Sequence, residues 1–577
     1  MATCGPSRAS IFTSRHPSTT RVFDTYSCKR FPLEPGCHSS ALTTKRSPRA
    51  PPDWRNTSGN FTTIPEYFKD RGYMTAGMGK TFHEGSASGL VDDPSCPLGS
   101  HCPGLVDDPS CPLCRGEYDA DYSWTEPYFM TNLDETPSIE YDDKYALSWM
   151  ATDPDKGPLP DDYVRRQAIS RLDNISSNRH SGKDVRPFFM AVGFHKPHLP
   201  FVFPERYLSY YPIDEVQLPS NPDVPINMPT IAATLSQSKE MHEYKDISDI
   251  TDSQLTPGEL AVGATGNEPL PDAKVKDLRR AYHAAISYAD DNVGKVLAAL
   301  SKAKLSVSTI VVVLSDHGWS LGEHGQWSKH TNFATVTQAP LMFRVPGLTH
   351  GGIYTDQIAS TTDIFPTLVD LVFETAMPRC VSAEKLCTEG NSLVPLISDP
   401  MTPVKAAAYS FFDRPIPTKV DKDWTGDWAN SGAGGSDTNT SSSRRHRRPK
   451  HAVSLDQSTP AISRCIDGSG CVLGYSMVTR LEGCELRYTE WVRYEGKVAN
   501  WAPNWDAVAG RELYNHSCYC SPTDHRRHKV DNIPDRYLAP MFYVDVQETN
   551  NTFSSASAAV VAELHERLRR GWQLNFD

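Results

Sequence analysis

Residues 309–318 read TIVVVLSDHG, an apolar and β-branched run from Thr309 to Leu314 that passes without a break into Ser315, Asp316, His317 and Gly318. A run with no polar alternation predicts a strand covered on both faces, as in a parallel sheet. The polar residues at its end then fall where open α/β folds place their reacting groups. Residues 187–198, PFFMAVGFHKPH, repeat the arrangement, with a run from Pro187 to Phe194 that ends in His195 and His198. A third copy runs from Tyr73 to Met78 into Gly79-Lys80, with His83 three residues on and an amphipathic helical segment, Ile64 to Lys69, before it. Between these strands, apolar residues at 278, 282, 285, 286, 289, 293, 296, 297 and 300 recur at a helical period and predict one buried face. Ser360 to Val372 reads as a further short helix. Strand, polar cluster, helix and strand again predict an α/β fold with a largely parallel sheet and helices over it.

The chain has 577 residues, enough for two domains, and 38% hydrophobic against 22% charged residues, which excludes disorder as the whole answer. A net charge of −12 gives no broad basic surface for nucleic acid. No stretch reaches the roughly 18 apolar residues of a membrane span, so a soluble protein is expected. The first 21 residues lack the apolar centre of a secretion signal. Against that stand 14 cysteines and six N-x-S/T acceptors at Asn56, Asn60, Asn174, Asn439, Asn515 and Asn550, which favour an oxidising compartment. The decapeptide GLVDDPSCPL occurs twice, at 89–98 and 104–113, and reads as a duplicated surface loop. Residues 425–460 read as an exposed linker or insert, so a larger domain over 1–400 and a smaller one over 401–577 are expected. In the second, Cys471 to Tyr475 and Leu486 to Tyr494 alternate like antiparallel strands, and Ala558 to Arg570 reads as a final helix.

Several residues could carry chemistry. Cys4 in CGPSR would act as a nucleophile only with a base to ionise it and donors for the developing charge; otherwise it is a structural cysteine. Lys80 and His83 suit an anion clamp and a proton donor, or a solvated loop. His195 and His198 sit where a strand end fixes their direction. Asp316 and His317 offer an oxygen and a nitrogen to a divalent metal, and Lys329 and His330 follow in the same polar loop.

CGPSR with FTSRHP at 12–17 resembles the C-x-P-S-R signature of the type I sulfatases. AVGFHKPHLPF at 191–201 and SDHGWSLGEHGQWSKH at 315–330 resemble the branch of that family acting on iduronate 2-sulfate, supported by VPG at 345–347, DIFPTL at 363–368 and the Cys380/Cys387 pair. YSFFDRP, LGYSMVTR and GRELY extend it more thinly into the C-terminal part. The resemblance implies an alkaline-phosphatase-like α/β fold with a large, mostly parallel sheet, a smaller C-terminal domain built on an antiparallel sheet, and sulfuric ester hydrolysis. Cys4 would be converted to formylglycine by the formylglycine-generating enzyme, and its hydrate would attack sulfur. Arg8 would hold that group. Lys80, His198 and Lys329 would contact sulfate, and His83 would orient the nucleophile or move its proton. Asp316 and His317 would bind a metal, Ca²⁺ in the family, with His195 a neighbour of the site. The substrate would be sulfated glycosaminoglycan, heparan or dermatan sulfate, in a lysosomal or secreted setting.

Two departures qualify these implications. The family places an Asp-Asp pair on a strand ahead of the modified cysteine, whereas only Met1-Ala2-Thr3 precede Cys4, so an N-terminally incomplete chain of little activity is expected. Ser14 stands where the signature usually carries glycine. An alternative is an inactive sulfatase-like protein that binds sulfated polysaccharide through the basic runs at 444–451 and 525–529. A third reading places zinc among Cys96, Cys102, Cys111 and Cys114.

Overall fold

Thr63 starts the first well-defined strand unit. Its hydroxyl accepts the Glu66 N–H at 3.2 Å while Glu66 accepts the Thr63 N–H at 3.4 Å, a reciprocal cap that opens a helix. In the computed structural model of the chain the described residues are 3–22, 33–34, 37–38, 55, 58–82, 119–130, 147–153, 157–232, 241, 244–247, 270–349, 351–381, 384–415, 471–481, 484–495, 502–518 and 548–572. His83, both decapeptides with their Asp-Asp pairs and cysteines, the 425–460 segment and both basic runs lie outside them.

The elements used below are α1 (Cys4–Thr13), α2 (Ile64–Lys69), β1 (Met74–Gly79), β2 (Trp149–Thr152), α3 (Pro160–Ser181), β3 (Phe188–Gly193), β4 (Phe201–Pro204), α4 (Asp272–Lys302), β5 (Val311–Leu314), β6 (Leu341–Arg344) and α5 (Ile364–Phe373). After them come β7 (Ala407–Pro415), β8 (Cys471–Leu481), β9 (Cys484–Glu495), β10 (Ala502–Cys518) and α6 (Ala558–Trp572). β1 pairs in parallel with β3 and β2 with β4, while β5 pairs antiparallel with β6. Helices cover both faces. Phe189 of β3 and Val312 of β5 share a cluster with Ile64, Phe68, Phe365 and Ile11. Met190, Val192 and Val311 face the opposite way, into a cluster with Val164 and Leu172 of α3 and Leu300 of α4. Side chains on successive residues of one strand thus feed two different cores, as period-two geometry requires.

β3 and β5 are half-buried along their whole length, where their sequences predict full cover. Among the described residues each has a hydrogen-bonded strand on one edge only. α4 carries a second correction. Its buried stripe is Leu278, Ala281, Ala285, Tyr288 and Asn292, whereas Ile286 and Leu297 are 41% and 37% exposed. At about 100° per residue those two lie well over 100° from the centre of the stripe, so alanines face the core and two large apolar residues do not.

The C-terminal sheet is antiparallel in the order β7-β8-β9-β10. α6 lies on one face through Leu564 and Leu568, four apart and both at 0% exposure, against Phe411, Leu473, Tyr475 and Tyr488. Burying each leucine contributes roughly 2 kcal/mol. The structure pairs Cys380 with Cys387 as a disulfide. No helix among the described residues is long and apolar enough to cross a membrane.

Candidate active site

Register brings the first cluster together. Gly79 pairs with Gly193 at the ends of β1 and β3, and the Lys80 N–H donates to the Gly193 carbonyl at 2.8 Å. A Cβ on Gly79 would meet that carbonyl at 2.0 Å, and Gly79 has φ +64, so only glycine fits this crossing. Lys80 and the turn after Gly193 therefore leave the sheet side by side. Asp316 and His317 leave the end of β5, and Cys4 opens α1 against them.

Cys4 is 1% exposed, and its Sγ lies 3.0 Å from His317 Nε2. Burial pushes the thiol up, but the ammonium groups of Lys80 and Lys329 outweigh it and bring the pKa down from 9.0 to about 6. Arg8, one turn along α1, donates from Nε to Asp316 Oδ2 at 2.8 Å and from Nη1 to the carbonyls of Thr81, at 3.0 Å, and Lys80. Burial opposes the charge on Asp316, and Arg8, His317 and Lys80 together hold its carboxyl well below the usual range. His317 is raised despite burial by Asp316 and Cys4. Its Nδ1 donates to the Gly318 carbonyl at 2.8 Å, which aims Nε2 at Cys4.

His198 shows the same logic. Nδ1 donates to the Leu199 carbonyl at 2.7 Å, so Nε2 accepts from Lys329 Nζ at 2.8 Å. Lys329 stands between two non-glycine residues with left-handed backbone, Ser328 at φ 71 and His330 at φ 74, each costing roughly 1 kcal/mol. The structure thus brings Cys4, Arg8, Lys80, His198, Asp316, His317 and Lys329 into one cluster. His195 is turned to Asp161 instead, with Nδ1 3.6 Å from its carboxylate.

Two participants escaped the sequence reading. Asp161, in the first turn of α3 and 2% exposed, accepts the backbone N–H groups of His195 at 2.8 Å and Lys196 at 3.0 Å, fixing the turn that carries His198. Its only signal is an acidic residue after Pro160 at a helix start. Trp319 is a shared wall: its ring centre lies 5.9 Å from the His198 ring, 6.4 Å from the His317 ring and 5.2 Å from Lys329 Nζ. An aromatic residue two places after His317 is the signal that could have found it.

The donor atoms of Cys4, Asp316 and His317 lie within 4.8 Å of one another and could hold a metal ion. This set is one sulfur, one carboxylate and one imidazole, with Arg8 already on the carboxylate. Calcium takes about six to eight oxygen ligands. Among the described residues the set does not make a calcium site. What the cluster does offer is an excess of cations around one ionisable side chain, a receptor for an anion undergoing nucleophilic attack.

Ser14, the departure in the signature, ends α1 with φ 54 and 0% exposure. A glycine would suit that backbone; serine compensates, its Oγ donating to the Thr362 carbonyl at 2.6 Å and accepting the Gly390 N–H at 3.2 Å.

Known proteins share this sequence pattern and fold. The sulfatase family profile matches residues 1–374. Human iduronate 2-sulfatase is 31% identical over 458 residues, covering 72% of this chain and 70% of its own. The mouse iduronate 2-sulfatase is also 31% identical, over 68% of this chain and 65% of its own, so the chain spans about two thirds of these relatives. A solved complex of a protein with its substrate D-glucosamine-2-N,6-O-disulfate superposes with a TM-score of 0.52 at 17% identity, covering 100% of this chain and 88% of that one. The fold is that of the alkaline-phosphatase-like sulfatases, and the chain belongs to the sulfatase family, the sulfuric ester hydrolases.

Proposed function

We propose that this protein removes the 2-O-sulfate of iduronate residues in heparan and dermatan sulfate, with residue 4 as nucleophile after conversion of Cys4 to formylglycine. The observation that carries the reading is the convergence of Lys80, Lys329 and His317 on the side chain of residue 4, with Arg8 held beside it on Asp316. In this reading the aldehyde hydrate of residue 4 attacks sulfur, the sugar leaves as its alcohol, and the second hydroxyl of residue 4 then expels sulfate and restores the aldehyde. Lys80, Lys329 and His198 hold the sulfate oxygens as their charge grows, and Arg8 polarises residue 4. His83 is the candidate for moving the nucleophile's proton. Asp316 and His317 would contribute two ligands to a divalent cation, which the described residues alone do not complete; every step above is assigned to the protein's own groups.

Cys4 is 1% exposed, so the formylglycine-generating enzyme would act before this segment folds. The exposed acceptors Asn60, Asn174, Asn515 and Asn550 and the Cys380–Cys387 bridge support a lysosomal or secreted protein. A catalytic domain over 1–400 and a smaller domain over 401–577 remain the proposed organisation. Release of inorganic sulfate from an iduronate-2-sulfate disaccharide, measured beside the mass of the Cys4 peptide, tests the function. No release from protein in which Cys4 is converted would sink it. A second reading, a non-hydrolysing receptor for sulfated polysaccharide, is favoured by the metal cluster holding one carboxylate among the described residues; saturable binding of heparan fragments without turnover would establish it.

A further inference from the structure

Lys329 is 4% exposed and flanked by left-handed residues, so something must hold its loop in place. On the upstream side His324 is tied down by Asn221, which accepts its N–H at 2.7 Å through the carbonyl and donates from Nδ2 to its Nε2 at 3.0 Å. On the downstream side Gly318 donates its N–H to the Val336 carbonyl at 2.7 Å and Ser320 Oγ lies 2.9 Å from Thr335 Oγ1, and further ties come from the C-terminal part of the chain. Asn332 donates from Nδ2 to the Gly474 carbonyl of β8 at 2.8 Å. The Phe333 ring stacks on His324 at 4.1 Å and 15°, and the guanidinium of Arg487 in β9 covers it at 5.0 Å. Ala334 donates its N–H to Glu548 Oε2 at 3.1 Å, and Oε1 of the same carboxylate accepts from Arg487 Nε and, at 2.7 Å, from His516 Nε2. Glu548 is 2% exposed. One buried carboxylate therefore joins the backbone five residues beyond Lys329 to the cation that clamps Phe333.

We propose that Glu548 is a positioning residue for Lys329, acting through Ala334 and through the Arg487–Phe333 stack, so that the C-terminal part of the chain helps to set the geometry of the anion receptor. The consequence for catalysis rests on the reading of Lys329 as a sulfate-contacting group; the mechanical link does not. Limited acetylation of the full chain with acetic anhydride, quantified at each lysine by mass spectrometry, reads the link directly. Glu548→Ala should raise the rate at Lys329 about tenfold and leave Lys80, in the same cluster but on a different loop, within about twofold. Phe333→Leu, which leaves no buried charge unpaired, should raise the Lys329 rate about threefold, and Glu548→Gln, which keeps an acceptor for Ala334, should fall between Glu548→Ala and wild type. Lys329 and Lys80 rising together would mean general loosening, and unchanged Lys329 in both Glu548→Ala and Phe333→Leu would mean no link; either result overturns the proposal. On a sulfate ester, Glu548→Ala should lower kcat more than it raises KM, and should add nothing in a Lys329→Met background. Absence of sulfate release by the wild type would count against the hydrolase reading alone and leave the labelling to decide the positioning.

Discussion

Around Cys4 the charged side chains come from separate segments and surround one buried thiol; around Glu548 they come from neighbouring strands and pair with one another. Among the described residues the first set is Arg8, Lys80, Lys329 and His317 against the Asp316 carboxylate and the Cys4 thiol, so its cations exceed its anions. The second is Arg487 and His516 against Glu548 and Glu512, placed by strand alternation: Arg487 lies opposite Tyr514 and Thr489 opposite Glu512. Burial raises Glu512 towards its neutral form, while Arg487 and His516 hold Glu548 well below the usual range. A closed network of this kind fixes structure; an open one leaves its charge available for chemistry. Removing a member should therefore cost stability in one place and function in the other.

The largest effect is expected at Arg487→Met, which leaves Glu548 without its main partner. Urea unfolding should show a loss of about 3–5 kcal/mol, the usual penalty for one buried charge stripped of its counterion. A loss below about 1 kcal/mol would mean that the network is not closed as described. Lys329→Met is the counterpart. Taking one cation from a like-charged cluster should change stability little, while sulfate ester turnover falls about 10²–10³-fold, the range for a lost donor to a developing anion. A melting transition displaced as far as that of Arg487→Met would erase the contrast.

The polar ends of three apolar runs could be read from the sequence because period and composition are local properties: TIVVVLSDHG, PFFMAVGFHKPH and the segment before Lys80 all emerged as strands with their candidate site residues at the end. Asp161 and Glu548 could not. Asp161 acts through backbone N–H groups 34 and 35 residues away, and Glu548 through an N–H 214 residues away, separations that no periodicity encodes. The face of α4 was misread for a related reason. Apolar identity placed Ile286 and Leu297 inside, but tight packing against Phe201 and Tyr207 selected alanines.

Titration sharpens the comparison, because the two clusters push stability in opposite directions over the same pH range. His516 is raised to about 9, burial opposing and Glu485 and Glu548 prevailing, so the folded protein holds a proton that the unfolded chain releases near 6.5. Its contribution is complete below 6.5 and is lost as pH rises through 9. Unmodified Cys4 is brought to about 6 against 9.0 unfolded, so its contribution is complete above 9 and is lost as pH falls through 6. At full extent these amount to roughly 3 kcal/mol for His516 and roughly 4 kcal/mol for Cys4. In unconverted protein the two should largely cancel between pH 6.5 and 9. Cys4→Ser should leave stability falling across that window, and His516→Asn should leave it rising; parallel slopes for the two variants would show that the clusters are not opposed.

The smallest expected effect lies at the join between the two styles, in α1, whose first residue is Cys4 and whose end is fixed by pairing. Ser14→Gly removes a left-handed strain of roughly 1 kcal/mol. It also leaves the Thr362 carbonyl and the Gly390 N–H without their hydroxyl partner at a fully buried position, which costs roughly 1–3 kcal/mol, and adds backbone freedom to the unfolded chain. The net should be a loss of about 1–2 kcal/mol in urea unfolding, with Ser14→Ala losing more because it keeps the strain and drops the bonds. If the glycine variant were the more stable, strain rather than pairing would govern the end of α1, and the hydroxyl network there would be a consequence of the fold rather than a support for it.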